Sequence, residues 1–502
     1  MDRLHVADLA YMAPELTLVI AAIVMALLDL VLPRTFARNR FGLLSLLAVV
    51  VSGMFVVAAL DNPTVSLLGH SYRVDDFANI VKLLLLGGTA LTLLLSYGSK
   101  REQTNPHLSE YYYLLLPATV GAMIMASSGD LITLFVGLEL LSISSYVLVG
   151  IRKTSHQSSE AAFKYVVLGG IASAFILYGM SFLYGLTGTT NVSEINTALQ
   201  GFDPSFGPLL YVSFFLMLAG FAFKIAAAPF HAWAPDVYQG APTSVAAYLA
   251  VVSKTAAFAM MFRLIYNLYY NVGTTEAPIS QDLFLMVSII AAVAMVVGNA
   301  LALKQRNMKR LLAYSGVANA GYLLVPLGVT FGDNFLHVSN VNEWMFYALA
   351  YLFMTFGAFT VLQVVARVNG SEEMSAFAGL YYRAPWTAVA MTVFILSLAG
   401  LPISAGFIGK MYILLGALSL KVIWLAIIMI VTSVASFYYY FSVVRQMFMR
   451  MADEESSIDV PVSLAIIIWI CAVGTLALGL FPNVVFDFLD SIFDITKDFF
   501  II

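Results

Sequence analysis

Four ionisable side chains lie deep within apolar stretches that are long enough to cross a membrane: Glu139, Lys224, Lys254 and Lys410. Each lies about ten residues from the nearest polar boundary, too far for the side chain to carry its charge to the membrane surface. Burial favours the neutral form of a lysine and a nearby carboxylate favours the charged form, so a lysine under both influences can bind and release a proton. The pattern predicts a proton relay. It leaves open the alternative of buried ion pairs that only hold helices together.

Three further basic residues fall within apolar stretches, namely Lys82, Lys164 and Arg263. Lys164 lies four residues after Glu160, which is the spacing of an ion pair on one face of a helix. Arg263 is expected to reach the membrane surface or to pair with a neighbouring subunit. We assign no specific role to Lys82. For all three a structural role is favoured, and Lys164 is kept as a secondary candidate for the site.

The composition indicates a membrane protein, because 61% of the 502 residues are apolar and only 11% are charged, against about 25% charged in soluble domains. A net charge of −4 provides no basic surface for nucleic acid. The single cysteine, Cys471, excludes an intramolecular disulfide and a cysteine-built iron–sulfur or zinc site. The six histidines are scattered and predict no metal site. We expect His231 to have a hydrogen-bonded structural role, with proton transfer as the alternative.

Fourteen transmembrane helices are predicted, since a span needs about 20 mostly apolar residues. Their expected limits are 12–33, 42–60, 76–97, 110–127, 129–150, 160–186, 206–230, 241–271, 281–303, 308–331, 343–369, 385–418, 421–450 and 459–482. Loops after odd-numbered spans collect Lys and Arg, as at Arg152 and Lys153, whereas loops after even-numbered spans are mostly acidic. This alternation predicts an all-α polytopic protein with both termini on the outer side of the membrane.

Proline interrupts two of these spans close to a buried lysine. One run reads FKIAAAPFHAWAPD and contains Lys224 and Pro229, and the other reads LAGLPISAGFIGK and contains Pro402 and Lys410. In lipid, such freed backbone is tolerated only beside protein or a water-filled cavity, although an ordinary proline kink is the simpler alternative. The broken span is the fourth of spans 4–8 and the fourth of spans 9–13. Five spans per unit predict two inverted repeats with an ion site near each break.

This topology divides the chain into four parts: an N-terminal three-helix segment at 1–105, a first repeat at 106–272, a second, inverted repeat at 273–452, and a last part at 453–502. The last part contains span 14 and a C-terminal amphipathic helix. From Asn483 to Ile502, Asp487, Asp490, Asp494 and Asp498 recur at helical spacing opposite apolar residues. We expect this helix to lie against a partner or along the outer interface.

The run FAFKIAAAPFHAWAPDVYQGAPTSVAAYLAVVSKTAAF resembles the signature of the N-type antiporter-like subunits of respiratory complex I, the proton-pumping NADH:quinone oxidoreductase. Further similarity lies in GLELLSISSYVLVG, SSEAAFKYVVLGG, KQRNMKRLLAYSGVANAGY and LAGLPISAGFIGK, so that the resemblance covers roughly residues 75–450. L-type and M-type subunits and Mrp-type sodium/proton antiporter subunits usually have histidine at the position of Lys254. The stretch VYQGAPTSVAAYLAVVSK is therefore the part most similar to the N type.

The resemblance implies a role for each buried residue. Glu139 and Lys224 would form a coupled acid–base pair, Lys254 would be the central relay lysine, and Lys410 would pass the proton to the outside. It also implies that the chain is one subunit of a redox-driven translocase in a bacterial plasma membrane and carries no cofactor. NADH, FMN, iron–sulfur clusters and quinone would bind partner subunits, and M-type and K-type membrane-arm subunits would be its neighbours. The alternative functions are a subunit of an Mrp-type cation/proton antiporter and a scaffold whose buried charges only stabilise assembly.

Overall fold

A computed structural model describes residues 6–33, 37–99, 107–201, 203–269, 272, 279–329, 340–451, 457–494 and 498–499. The α-helices in chain order are α1 (Ala13–Val31), α2 (Arg40–Ala58), α3 (Asp76–Tyr97), α4 (Leu108–Ser127), α5 (Leu131–Val149), α6 (His156–Thr187), α7 (Val192–Gln200), α8 (Gly207–Lys224), α9 (Trp233–Gly240), α10 (Thr243–Tyr269), α11 (Ile279–Ala302), α12 (Met308–Gly328), α13 (Asn340–Asn369), α14 (Leu380–Arg383), α15 (Pro385–Ala399), α16 (Ala405–Ser419), α17 (Ile423–Met449), α18 (Val462–Leu480) and α19 (Pro482–Ile492).

Little else is regular in the described residues. Short 3₁₀ turns occupy Val6–Ala10, Pro204–Phe206 and Met374–Phe377. A small antiparallel hairpin of β1 (Val65–Leu67) and β2 (Tyr72–Val74) precedes α3.

Twelve of the described helices are long and apolar enough to cross a membrane. The 20-residue α4 and the half-helices α15 and α16, which follow one another, supply two further crossings. The predicted all-α, multi-pass fold with about fourteen spans is therefore confirmed. The predicted limits agree with the helices to within about four residues, with one clear exception. Span 7 is expected to continue to residue 230, but α8 ends at Lys224.

The two proline-containing runs are interrupted as expected. Residues 225–232 separate α8 from α9, and residues 400–404 separate α15 from α16. Each break contains backbone that cannot continue a helix, because Ala226 and Gly400 have φ values of 57° and 93°. The run 241–271 is bent in a different way, since α10 contains a π-helical turn at Leu249–Ser253, directly before Lys254.

The interior of the molecule is formed by three helices. In the most apolar window of each helix, 100% of the residues of α10, 94% of those of α12 and 89% of those of α13 are buried, compared with 22% in α1 and 33% in α17. Polar groups on the central helices therefore lie within protein and away from lipid.

The C-terminal segment differs from the expected amphipathic helix. The helix α19 ends at Ile492, and Ile495 lies outside the described residues. Asp490 accepts a hydrogen bond from Asn342 Nδ2 at 2.6 Å, and the buried Asp498 accepts one from the backbone N–H of Asp76 at 3.1 Å. Two of the four aspartates therefore bind this chain, so they do not form a free acidic face.

Candidate proton relay

Lys224 is the last residue of α8, at the point where the first break begins. Its Nζ donates a hydrogen bond to Ser142 Oγ on α5 at 2.6 Å and lies 6.0 Å from the centroid of the Tyr146 ring. At the end of α8 the carbonyl of Phe223 accepts two hydrogen bonds, from the backbone N–H of Ala226 at 2.9 Å and from Trp233 Nε1 at 2.9 Å. An indole thus stabilises the helix end, and the lysine is free to bind a neighbouring helix.

Glu139 lies on α5, three residues before Ser142, and is half-buried. Its Oε1 atom is buried with no hydrogen-bond partner among the described residues, and those residues show no ion pair of 4.0 Å or less between Glu139 and Lys224. Lys224 Nζ on α8 thus binds Ser142, which lies three residues after Glu139 on α5. Ser142 itself donates to the carbonyl of Leu138 at 2.6 Å.

Aromatic rings fill the space beyond Lys224 in the direction of α9 and α6. The ring of Tyr146 contacts that of Tyr165 edge-on at 4.7 Å, and Tyr165 stacks on Trp233 with centroids 4.7 Å apart. The hydroxyl oxygen of Tyr146 is buried with no hydrogen-bond partner among the described residues. A buried polar atom of this kind can bind a water molecule.

Lys254 lies at the centre of the molecule, with 2% of its surface exposed. The π-helical turn ends at this residue, and its Nζ donates to the carbonyl of Gly316 on α12 at 2.8 Å. A Cβ atom at position 316 would lie 3.0 Å from Lys254 Nζ and 3.1 Å from Tyr351 Oη. Glycine is therefore the residue that allows the ammonium group to approach this backbone.

The helix α12 continues from Gly316 as a row of polar side chains at helical spacing. Asn319 Nδ2 donates to the carbonyl of Ser315 at 2.8 Å, and Tyr347 Oη donates to Asn319 Oδ1 at 2.6 Å. The hydroxyl groups of Ser315 and Tyr440 are hydrogen-bonded to each other. This network was not among the residues proposed from the sequence. The sequence feature that could have indicated it is the helical spacing of Ser315, Asn319 and Tyr322, which places them on one face of α12.

The row ends at Lys410 on α16. Its Nζ donates to the carbonyls of Leu398 and Ala399 at 2.8 and 3.3 Å, and lies 4.5 Å from the ring centroid of Tyr322. The two carbonyls belong to the last turn of α15, where the helix dipole places partial negative charge. The lysine therefore caps the half-helix that precedes it.

The remaining sequence-predicted residues have simpler environments. Pro229 and Pro402 both lie within the breaks, as expected. His231 is half-buried beside the backbone of Pro229, and its expected hydrogen-bonded role stays a prediction. Lys164 pairs with Glu160 at 2.8 Å, as the spacing predicts, and also with Asp236 at 2.7 Å.

Arg263 and Lys82 have partners within this chain. Arg263 binds both carboxylate oxygens of Asp75, at 2.9 and 2.8 Å, and is 1% exposed, so it neither reaches the surface nor needs a neighbouring subunit. Lys82 lies 2.8 Å from Glu15 Oε1 and donates to Tyr72 Oη at 2.9 Å. These pairs join α1, α3, β2 and α10 near the ends of the helices, and they support the structural role expected of both residues.

Known proteins are similar to this chain over nearly its whole length. A family model described as NADH:quinone oxidoreductase/Mrp antiporter, TM, matches residues 128–436. The NADH-quinone oxidoreductase subunit N of Paenibacillus sp. (strain JDR-2) is 50% identical, with 98% of each chain covered. The protein of the same name from Brevibacillus brevis (strain 47 / JCM 6285 / NBRC 100599) is 46% identical, with 98% of this chain and 96% of the relative covered.

Solved structures agree with this similarity. A chain of respiratory complex I from Thermus thermophilus with bound aureothin is 32% identical, with a TM-score of 0.78 over 94% of this chain and 98% of that chain. A chain of the Mrp complex from Dietzia sp. DQ12-45-1b has the same TM-score at 20% identity, with 95% of each chain covered. At that identity the likeness concerns the fold alone.

Proposed function

We propose that the chain, which belongs to the NADH-quinone oxidoreductase subunit N family, moves protons across the membrane through Lys224, Lys254 and Lys410 while electrons are transferred in partner subunits. The observation that carries this proposal is the connection between the last two lysines. Lys254 binds the backbone of α12, and Lys410 contacts Tyr322 on the same helix. Charged groups buried at membrane depth without a carboxylate partner are costly and usually serve transport.

Each lysine has a partner that it can release without breaking an ion pair. Lys224 binds a hydroxyl, whereas Lys254 and Lys410 bind backbone carbonyls. These acceptors stabilise an ammonium group but do not neutralise it. A lysine in such a site can therefore exist in both protonation states, as a relay requires.

The coupling step in this proposal is a change of partner at Lys224. When Glu139 approaches, its carboxylate stabilises the protonated lysine. When Glu139 moves away or is neutralised by a partner subunit, Lys224 keeps only the Ser142 hydroxyl and releases its proton toward Lys254. The three-residue separation of Glu139 and Ser142 places both groups on one face of α5, so a small displacement exchanges them. The proton then leaves by the polar residues of α12 and Lys410.

The same proposal includes the partner subunits, the membrane and the orientation of the chain. NADH, FMN, iron–sulfur clusters and quinone bind partner subunits, and M-type and K-type subunits are the membrane-arm neighbours. The complex lies in a bacterial plasma membrane, with both termini of this chain on the outer side. The parts at 106–272 and 273–452 act as two inverted proton-conducting units, joined by the first 105 residues and by the segment 453–502.

The test uses inverted membrane vesicles that contain the whole complex with Lys224→Met or Glu139→Gln in this chain. Quinone reduction by NADH and proton uptake are measured on the same vesicles and normalised to assembled complex. We expect proton uptake per electron to fall in both variants. The matched control is Lys153→Met, because Lys153 is an exposed loop residue. An unchanged ratio of protons to electrons in fully assembled Lys224→Met complex would refute the proposed relay. Uptake driven by a sodium gradient without electron transfer would favour the antiporter alternative.

A further inference from the structure

A chain of ion pairs crosses from one proposed unit to the other outside the relay. Asp236, on α9, lies 2.7 Å from Lys164 of α6 through one carboxylate oxygen and 2.6 Å from Arg310 of α12 through the other. Arg310 also donates to Gln239 Oε1 on α9 at 3.0 Å, and Glu160 pairs with Lys164 at 2.8 Å. Asp236 is therefore shared by a helix of the first unit and a helix of the second.

Lys309, next to Arg310, forms a second connection between the end of α9 and the start of α12. Lys309 Nζ donates to the carbonyl of Ala241, which directly follows α9, at 2.9 Å, and it pairs with Glu372 at 2.7 Å. The backbone N–H of Met308 donates to the carbonyl of Glu372 at 2.9 Å. The start of α12 is thus attached both to the end of α9 and to the loop after α13.

The two tied segments carry parts of the relay. The short helix α9 begins at Trp233, whose indole caps the end of α8 beside Lys224. The helix α12 carries Gly316, which accepts the hydrogen bond of Lys254. Arg310 and Gly316 are six residues apart, which is about 9 Å along a rigid helix. The Asp236–Arg310 ion pair therefore attaches α9 to α12 about two helical turns from the carbonyl that binds Lys254.

Two polar cavities border one side of α9, whose other residues are buried. A polar cavity of about 430 Å³ is lined by residues that include Gln239, Gly240 and Thr243. A smaller cavity of about 160 Å³ is lined by residues that include Lys164, Asp236 and Gln239. Cavities thus border α9 on the side that carries Asp236 and Gln239. The ion pairs of Asp236 and the hydrogen bond of Gln239 connect this side to α6 and α12.

We propose that Asp236 is a positioning residue that joins the two units, so that movement of the broken α8–α9 segment sets the position of the Lys254 acceptor on α12. This inference rests on the proposed function, and it adds the mechanical link between the first lysine and the second. Among the described residues Asp236 makes no hydrogen bond or ion pair with the relay lysines, so its effect acts through α9 and α12.

The ion pairs themselves are suited to positioning more than to stability. The side chains of Asp236, Lys164 and Arg310 are 34, 39 and 28% exposed, and ion pairs with that exposure contribute little to folding. We therefore expect Asp236→Asn to assemble into the complex in nearly normal amount. This makes the effect of the variant on coupling measurable.

The experiment is a double-substitution cycle in vesicles that contain the whole complex. Asp236→Asn, Arg310→Gln and the combination of both are compared for protons taken up per electron, at equal amounts of assembled complex. We expect each single variant to lower this ratio. The double variant should be no worse than the more affected single variant, because both substitutions break the same Asp236–Arg310 ion pair, the joint between the two units. Asp236→Glu, which keeps the charge, should restore most of the ratio. Glu160→Gln is the matched control and should have no effect, because it removes a carboxylate that binds Lys164 outside the joint.

Three outcomes would overturn the inference: a normal ratio in assembled Asp236→Asn complex, additive losses in the double variant, or a loss that Asp236→Glu does not reduce. The Lys224→Met variant separates this result from the proposed function. If Lys224→Met lowers the ratio and Asp236→Asn does not, the proposed relay is supported and the proposed positioning role of Asp236 is refuted. If Lys224→Met leaves the ratio normal, the relay itself is wrong. A purely structural role for Asp236 would reduce assembled complex and leave the ratio per complex unchanged, which also contradicts the joint.

Discussion

The two helix breaks each place a proline near a buried lysine but differ in their hydrogen bonding. At the first break the backbone N–H of Ala226 and the indole of Trp233 both donate to the Phe223 carbonyl at the end of α8, and Lys224 binds a hydroxyl on α5. At the second break Lys410 itself donates to the end of α15, at the carbonyls of Leu398 and Ala399, and Ser433 Oγ also donates to Ala399. Both breaks solve the same physical problem, since freed carbonyl groups at membrane depth need donors.

The difference shows two ways to place a lysine at a helix break. Lys224 does not bind the backbone at the end of its helix, whereas Lys410 binds the carbonyls at the end of the preceding half-helix. Lys224 can change its partner without exposing the backbone at Phe223, because another side chain caps that carbonyl. Lys410 cannot leave its position without weakening the cap of α15. The first site is thus suited to a switch of partners, and the second to holding a proton at a fixed point before release.

The largest effect is expected for Lys410→Met. This substitution removes the relay group and leaves the Leu398 carbonyl without its side-chain donor, at about 1–3 kcal/mol for an unsatisfied group, whereas the Ala399 carbonyl still accepts from Ser433 Oγ at 3.2 Å. Both pumping and the amount of assembled complex should fall. In Lys410→Arg the guanidinium can still donate to the carbonyls but does not release its proton. Assembly should therefore recover in this variant while proton uptake per electron stays low. Full uptake with arginine would show that Lys410 acts as a cap only.

Trp233→Phe should separate the cap from the lysine at the first break. The ring can still stack on Tyr165, and the Phe223 carbonyl keeps the backbone N–H of Ala226, so the loss of the indole donor costs about 0.5–1.5 kcal/mol. We expect faster amide hydrogen exchange in peptides from the 225–232 break and a partial loss of pumping. Trp469→Phe serves as a control, because Trp469 is half exposed on α18. Unchanged exchange in the break would mean that the indole does not stabilise the end of α8.

Tyr347→Phe should test the connection between the two sites. It removes the hydroxyl that donates to Asn319 and keeps the ring. The loss of one buried hydrogen bond costs about 1 kcal/mol, which corresponds to an approximately fivefold change in a rate. We expect pumping to slow by up to this factor, with normal assembly. Tyr438→Phe, on an exposed face of α17, should behave like the unmodified protein. Equal rates for the two variants would remove Tyr347 from the proposed path.

The smallest effect is expected for the C-terminal segment, which packs beside the second break. There Phe486 of α19 packs on Tyr412, two residues beyond Lys410, with ring centroids 4.3 Å apart. At the far end of this tail, burial and the nearby Asp75 carboxylate raise the pKa of Asp498 to about 7. A carboxyl group with a raised pKa binds its proton more tightly in the docked state. Docking is therefore strongest below the ordinary pKa of about 4 and weakens as the pH rises through about 7.

We accordingly expect the N-terminal end of α3, where Asp498 binds the Asp76 amide, to exchange hydrogen faster at pH 8 than at pH 6, after correction for intrinsic exchange. Asp498→Asn should remove this pH dependence. Its persistence in the asparagine variant would assign it to another group.

The agreement between sequence and structure is best for features set by a single stretch of chain. The spans follow from hydropathy, because about 20 apolar residues must cross the hydrocarbon whatever their neighbours are. The break beside Pro402 follows from a residue that cannot continue a helix, and the depth of Lys254 follows from its distance to the nearest polar residues. Membership of the family was also predictable, since the run from Phe221 to Phe258 is characteristic enough on its own.

The partners of these residues were not predictable, because they come from distant parts of the chain. The acceptor of Lys254 is a backbone carbonyl 62 residues away, and the partner of Arg263 is 188 residues away. The joint at Asp236 likewise depends on how α6, α9 and α12 pack. Sequence alone determined where charge is buried and where helices break, since hydrophobicity and backbone geometry act locally. Only the tertiary structure decided which groups meet there, because the helix packing that brings them together depends on the whole interior at once.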